Sequence, residues 1–161
     1  MQLAEDGKRV LVVLELSHIF EFMERLKQCS PQNVSAGRII VLTGLESIPC
    51  SLSKARLSHP DWPLLHELFV KRGAALQQSA SLDKQRSEFE SINEQIVNLH
   101  TQIDDDIIHQ AQILIHINAL IQIVQSKHMH RFNPDVQIID DVGIFNKSHC
   151  YAIISQVFFT A

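Results

Sequence analysis

The spacing of apolar residues predicts a mainly α protein, an antiparallel helical bundle built around one long central helix. Two stretches and one set of start signals carry this expectation. Ile92, Ile96, Leu99, Ile103, Ile107, Ala111, Leu114, Ile117, Ile121 and Val124 follow one another at steps of three or four residues, the stripe of one helix face. Between Lys8 and Gln28, Val10, Val13, Leu14, Ile19, Met23 and Leu26 show the same relations. At Ser58–Pro63, Asp61 offers a capping carboxylate and Pro63 suits a first helical turn, where its missing N–H costs nothing.

Taken in order, residues 8–28 read as an amphipathic helix, although the β-branched run at their start equally suits a short strand. Residues 29–60 carry Pro31, Gly37, Gly44, Pro49 and Pro60, and Ile39–Leu42 is their only apolar run. They read as a long connection with one short strand or helical turn, or as a small α+β subdomain with the N-terminus. A helix from Asp61 to about Gln78 presents Leu64, Leu65, Leu68, Phe69 and Leu76. The long helix follows the turn at 79–83 and continues to about His130, with a break near Thr101–Asp106 as an alternative. Beyond Asp106, Ile108, Ile113, Ile115, Leu120 and Ile123 widen its apolar surface until it nearly encircles the axis, as in a central bundle element. Asn133-Pro134 ends it. The tail, residues 134–161, is apolar without a helical period and suits short strands or a docked segment, so residues 39–42 and the tail together offer a minor β element.

The 161 residues fit one domain, and 45% hydrophobic with 20% charged residues is the composition of a chain that folds around a core. A net charge of −4 with scattered basic residues argues against nucleic acid as a partner. Three cysteines, none in a C-x-x-C pair, fit a reducing cytoplasm. Glu15 interrupts the apolar run at Val10–Leu14 before it can serve as a signal-peptide core. The richest apolar stretch, Ile113–Val124, is broken by His116, Asn118 and Gln122 and is too short for a membrane span.

Chemistry is sparse. Asp105, His109, Gln112 and His116 share one face of the expected long helix, with Asp106 a turn before His109, which raises a metal site. The Glu-x-x-His pairs of di-iron bundles are missing, however, and a polar patch is the better reading. Adjacency of His149 and Cys150 supplies none of the geometry that a Cys/His nucleophile needs. His128 and His130 suit a helix C-terminus. Asp104–Asp106, the one acidic run, reads as a solvated surface patch and lacks the alternating ligands and glycine of a calcium loop. Fingerprints of acyl transfer, nucleotide binding and zinc hydrolysis do not occur, so neither catalysis nor a cofactor is expected.

From Asp61 to about Phe132 the chain resembles the FliT-type flagellar export chaperones. Asp61, Trp62, Leu64, Leu65, Leu68, Lys71, Arg72 and Leu76 carry the likeness, followed by the Ile-, Leu- and Gln-rich region Ile92–Val124. The resemblance implies an antiparallel bundle completed by a helix at Val10–Leu26. It also implies binding of an export substrate such as the filament cap protein, contact with the export apparatus or a transcriptional regulator, and no catalysis. The long 29–60 connection and the aperiodic tail depart from that family. Residue patterning separately suggests a non-enzymatic chaperone or adaptor that receives a partner's amphipathic helix in an apolar groove. Leu68, Ile107, Leu114, Ile117, Ile121 and Val124 are its expected contacts. The alternatives are self-association through the long helix as a coiled-coil-like homodimer, and a metal-binding bundle using Asp105, His109 and His116.

Overall fold

Five consecutive apolar residues, Val10–Leu14, form strand β1, not the opening turns of a helix. A 3₁₀ turn (Leu16–His18) leads from it into α1 (Ile19–Cys29) and the short α2 (Pro31–Ser35). There follow β2 (Ile39–Leu42), α3 (Leu52–Leu57), α4 (Trp62–Ala75), α5 (Leu82–Gln110), β3 (Ile113–Ile117) and β4 (Val136–Ile139). The computed structural model describes residues 7–75, 82–117 and 131–140. Over these residues the strands form one parallel sheet in the order β2-β3-β1-β4. The fold is therefore mixed α/β, and the expected mainly α antiparallel bundle is corrected to helices packed on both faces of a sheet.

The reason lies in how the central strands are buried. Along β1, Leu11 and Val13 enter one core with Ile40, Leu114 and the helices α3, α4 and α5. Val10, Val12 and Leu14 enter a second core with Ile39, Val41, Ile113, Ile115 and α1. A parallel strand covered on both faces needs apolar residues at every position, so its sequence loses the alternation that marks a half-exposed strand. Such a run is indistinguishable by period from a fully buried helix. That ambiguity explains both misread segments. The N-terminal helix expected over 8–28 divides into β1 and α1, and the long helix expected to His130 stops at Gln110. Ile113–Ile117 then becomes β3, with β1 on one side and β2 on the other. Residues 118–130, which were to complete that helix, lie outside the described residues.

The expected long connection, 29–60, holds α2, β2 and α3. Ser51 caps α3, its Oγ accepting the Lys54 N–H at 3.3 Å. Both expected β segments are strands, yet β2 and β4 occupy opposite edges of the described sheet and do not pair with each other. Of the tail, residues 141–161 lie outside the described residues. Among the described residues, no helix is long and apolar enough to cross a membrane.

Charged side chains join the helical layer to the sheet. The Arg56 guanidinium on α3 donates to both carboxylate oxygens of Asp104 on α5, at 2.6 and 2.7 Å, and Asp104 is 5% exposed. His100 stands 3.6 Å from the same carboxylate. Asp105 pairs with Arg131, and His59 faces Asp106 at 3.8 Å. The acidic run is thus a set of tethers between α5 and its neighbours, correcting the reading of a solvated patch. Nor does the start of α4 rest only on Asp61: its N–H is accepted by His59 Nδ1 at 3.2 Å. In the last turn of α5, Arg9 donates to the Ile108 carbonyl at 3.0 Å and lies over the Phe132 ring at 4.4 Å. Desolvation lowers its pKa from the ordinary arginine value, partly opposed by Asp135. This one side chain connects the starts of β1 and β4 to the end of α5.

Ile103 is fully buried and Val97 is 55% exposed on the same helix. Ile103→Ala is expected to cost about 2–5 kcal/mol and Val97→Ala under about 0.5 kcal/mol in urea unfolding. Arg56→Met leaves the Asp104 charge without its bidentate partner in a buried setting. A loss of about 3 kcal/mol is expected in the same measurement.

Candidate functional site at the carboxyl edge of the sheet

All four strands point the same way, so their carboxyl ends form one edge. The chain leaving β1 runs through α1 and α2 over one face, and the chain leaving β2 runs through α3, α4 and α5 over the other. Open α/β sheets bind their ligands outside the carboxyl ends of their strands.

A cleft of about 390 Å³ opens beside this edge between α1 and β4. Its floor is the sheet face: Val12, Leu14 and Ile138, with Ile139 at the margin. Its wall is the α1 face that carries Glu21, Phe22 and Arg25. Among the described residues, the layer made by α1 and α2 covers the inner strands and leaves Ile138 of β4 43% exposed. Val12, 1% exposed, pairs with Ile138 across the β1–β4 ladder, so the exposed Ile138 directly adjoins the core.

The rim is charged and internally matched. Asp140 follows β4, and its N–H donates to the Val13 carbonyl at 2.9 Å, which sets its carboxylate opposite the 3₁₀ turn. There Oδ2 lies 3.1 Å from His18 Nδ1, closing the end of β1 to the end of β4. Arg25 donates to Glu21 Oε1 at 2.6 Å one turn along α1. These pairs are largely exposed, and each adds under about 1 kcal/mol to stability.

The residues expected from sequence lie elsewhere. Leu68, Ile107 and Leu114 are 8%, 8% and 0% exposed and fill the core between α4, α5 and the sheet, so they form no open groove. Ile117 is half-buried at the end of β3, and Ile121 and Val124 lie outside the described residues. Asp105 is engaged with Arg131, His109 is exposed in the last turn of α5, and His116 is buried near the opposite, carboxyl end of β3. Strand formation at Ile113–Ile117 removes the shared helix face that grouped them. Among the described residues, no group of three or more His, Cys, Asp or Glu side chains is placed to hold a metal. His128, His130, His149 and Cys150 lie outside the described residues.

His18, Glu21, Arg25, Ile138 and Asp140 were missed by sequence reasoning. The available signal was the unbroken apolar run Val10–Leu14 leading into a helix, a β–α unit whose junction, Glu15–His18, falls at the ligand-binding edge. No protein-family model matches the chain, and no curated protein matches it significantly.

Replacing Asp140 by Ala is expected to lower stability by under about 1 kcal/mol, because the pair it removes is exposed and its backbone hydrogen bond remains. Thermal unfolding measured by circular dichroism checks this, and a larger loss would mean that the rim also holds the sheet together.

Proposed function

We propose that the protein is a non-enzymatic binding module, an adaptor or chaperone, that takes an apolar segment of a partner protein into the cleft between α1 and β4. The supporting observation is the exposed Ile138, set beside the buried Val12 and Leu14 beneath a rim whose charges already pair with one another. A floor of this kind rewards insertion of an apolar side chain, at roughly 25 cal/mol per Å² removed from water. The rim adds orientation through hydrogen bonds rather than net charge. Such a site differs from the helical groove expected from sequence, since the residues of that groove are core. The FliT-type likeness over Asp61 to about Phe132 adds one partner class, an exported flagellar or secretion protein.

A second reading, small-ligand binding, is favoured by one observation: the His18–Asp140 pair spans two strand ends at the edge where α/β sheets bind small molecules.

The test compares tagged wild-type protein with Ile138→Glu and, as a control on the opposite helical layer, Val97→Glu. Each is used for capture from its native lysate, with mass spectrometry and light scattering of the recovered complex. A stoichiometric partner kept by Val97→Glu and lost by Ile138→Glu is expected. Retention of that partner by Ile138→Glu overturns the cleft assignment, and recovery of a self-associated species alone favours the assembly reading.

A further inference from the structure

At the opposite, amino end of the sheet lies a second pocket, of about 350 Å³, with different chemistry. It is bounded by the α1–α2 junction and by the residues that precede β2 and β3: Cys29, Ser30, Asn33, Arg38 and Gln112 line it. The backbone fixes its shape. The Arg38 carbonyl accepts the N–H groups of both Gln112 and Ile113, at 2.8 and 3.0 Å, and the Arg38 N–H donates to the Asn33 carbonyl at 3.0 Å. These bonds hold the two strand starts and the α1–α2 junction together.

Three features of the lining point to a ligand. Ser30 and Asn33 are 4% and 8% exposed, and Asn33 Nδ2 donates to Ser30 Oγ at 3.1 Å, which leaves the serine hydroxyl free to donate in turn. Gln112 Oε1 is buried and accepts no hydrogen bond from any described residue, a costly state for an amide oxygen. Arg38 is exposed at the margin and is the only charged residue among the described residues of the lining. A guanidinium with no carboxylate beside it among the described residues selects for an anion, and a buried acceptor selects for a ligand that also carries a donor.

We propose that this pocket binds a small hydroxylated anion, with its carboxylate or phosphate on the Arg38 guanidinium and the Ser30 hydroxyl, and its own hydroxyl donating to Gln112 Oε1. The apolar cleft at the carboxyl edge offers neither an unpaired cation nor a buried free acceptor, so the two sites take different ligands.

Calorimetric titration of the full chain with glycerate, glycerol 3-phosphate, acetate, inorganic phosphate and glycerol tests this. Glycerate or glycerol 3-phosphate is expected to bind about tenfold more tightly than its counterpart without hydroxyls, and glycerol not to bind. Whichever of the two is tighter identifies the anion. Arg38→Gln, which keeps the backbone bonds, is expected to weaken binding about tenfold. Gln112→Leu is expected to erase the preference for the hydroxylated anion while leaving acetate and phosphate within about twofold.

A readout on the unmutated chain is alkylation of Cys29, exposed at the pocket, followed by peptide mass spectrometry. The bound anion is expected to slow Cys29 and leave Cys50, which lies outside the lining, at its own rate. Absence of binding by both hydroxylated anions, binding indifferent to Arg38→Gln, or Cys29 alkylation unchanged at saturating ligand overturns the proposal.

Discussion

Burial of β1 and β3 on both faces is the constraint from which the rest of this structure follows. Leu11, Val13 and Leu114 point into one core, and Val12, Ile113 and Ile115 into the other, with each of these residues at most 1% exposed. Strands of this kind are stable only between two helical layers, since leaving either face bare exposes a row of large apolar side chains to water. The chain meets this demand with α1 and α2 on one side and α3, α4 and α5 on the other. Because parallel strands need crossovers, it must also leave their carboxyl ends in diverging directions.

The layers are unequal, and the inequality creates the candidate site. The side built from α3–α5 is extensive, with α5 alone running 29 residues, about 43 Å, against about 17 Å for a five-residue strand. Its charges are consumed in holding it: Arg56, His59 and Arg131 each face a different member of the Asp104–Asp106 run. Among the described residues, the side built from α1 and α2 holds far fewer residues and leaves Ile138 of β4 exposed. Its shortfall is the cleft over Ile138. Nothing about that cleft required specialised chemistry; it arises where a narrow helical layer meets a wider sheet.

The two ends of the sheet differ in a way that separates what each can bind. At the carboxyl edge, His18 with Asp140 and Glu21 with Arg25 satisfy one another, and the surface left over is apolar. At the amino edge the charge of Arg38 and the buried oxygen of Gln112 remain unmatched among the described residues, and the lining is polar. Burial also raises the Cys50 thiol pKa above its ordinary value, an effect partly countered by Lys27 and Lys54. That thiol stays protonated to higher pH than an exposed one and is correspondingly slow to react.

The sequence by itself determined a good deal: a folded chain, the helix from Trp62, the amphipathic face of α5 as far as Gln110, and strand character at Ile39–Leu42. Each of these has its own local signal, whether a period, a proline or a β-branched run between turn residues. It assigned Val10–Leu14 and Ile113–Ile117 to helices, and both are strands. Continuous apolarity is what either element needs when it is buried on all sides, and only the pairing of β1 with β3 and of β3 with β2 settles the choice. The position of the cleft was beyond it for the same reason. His18 and Asp140 are separated by 122 positions, and their meeting depends on β4 lying beside β1, a contact made by sheet topology and by no pattern within either segment.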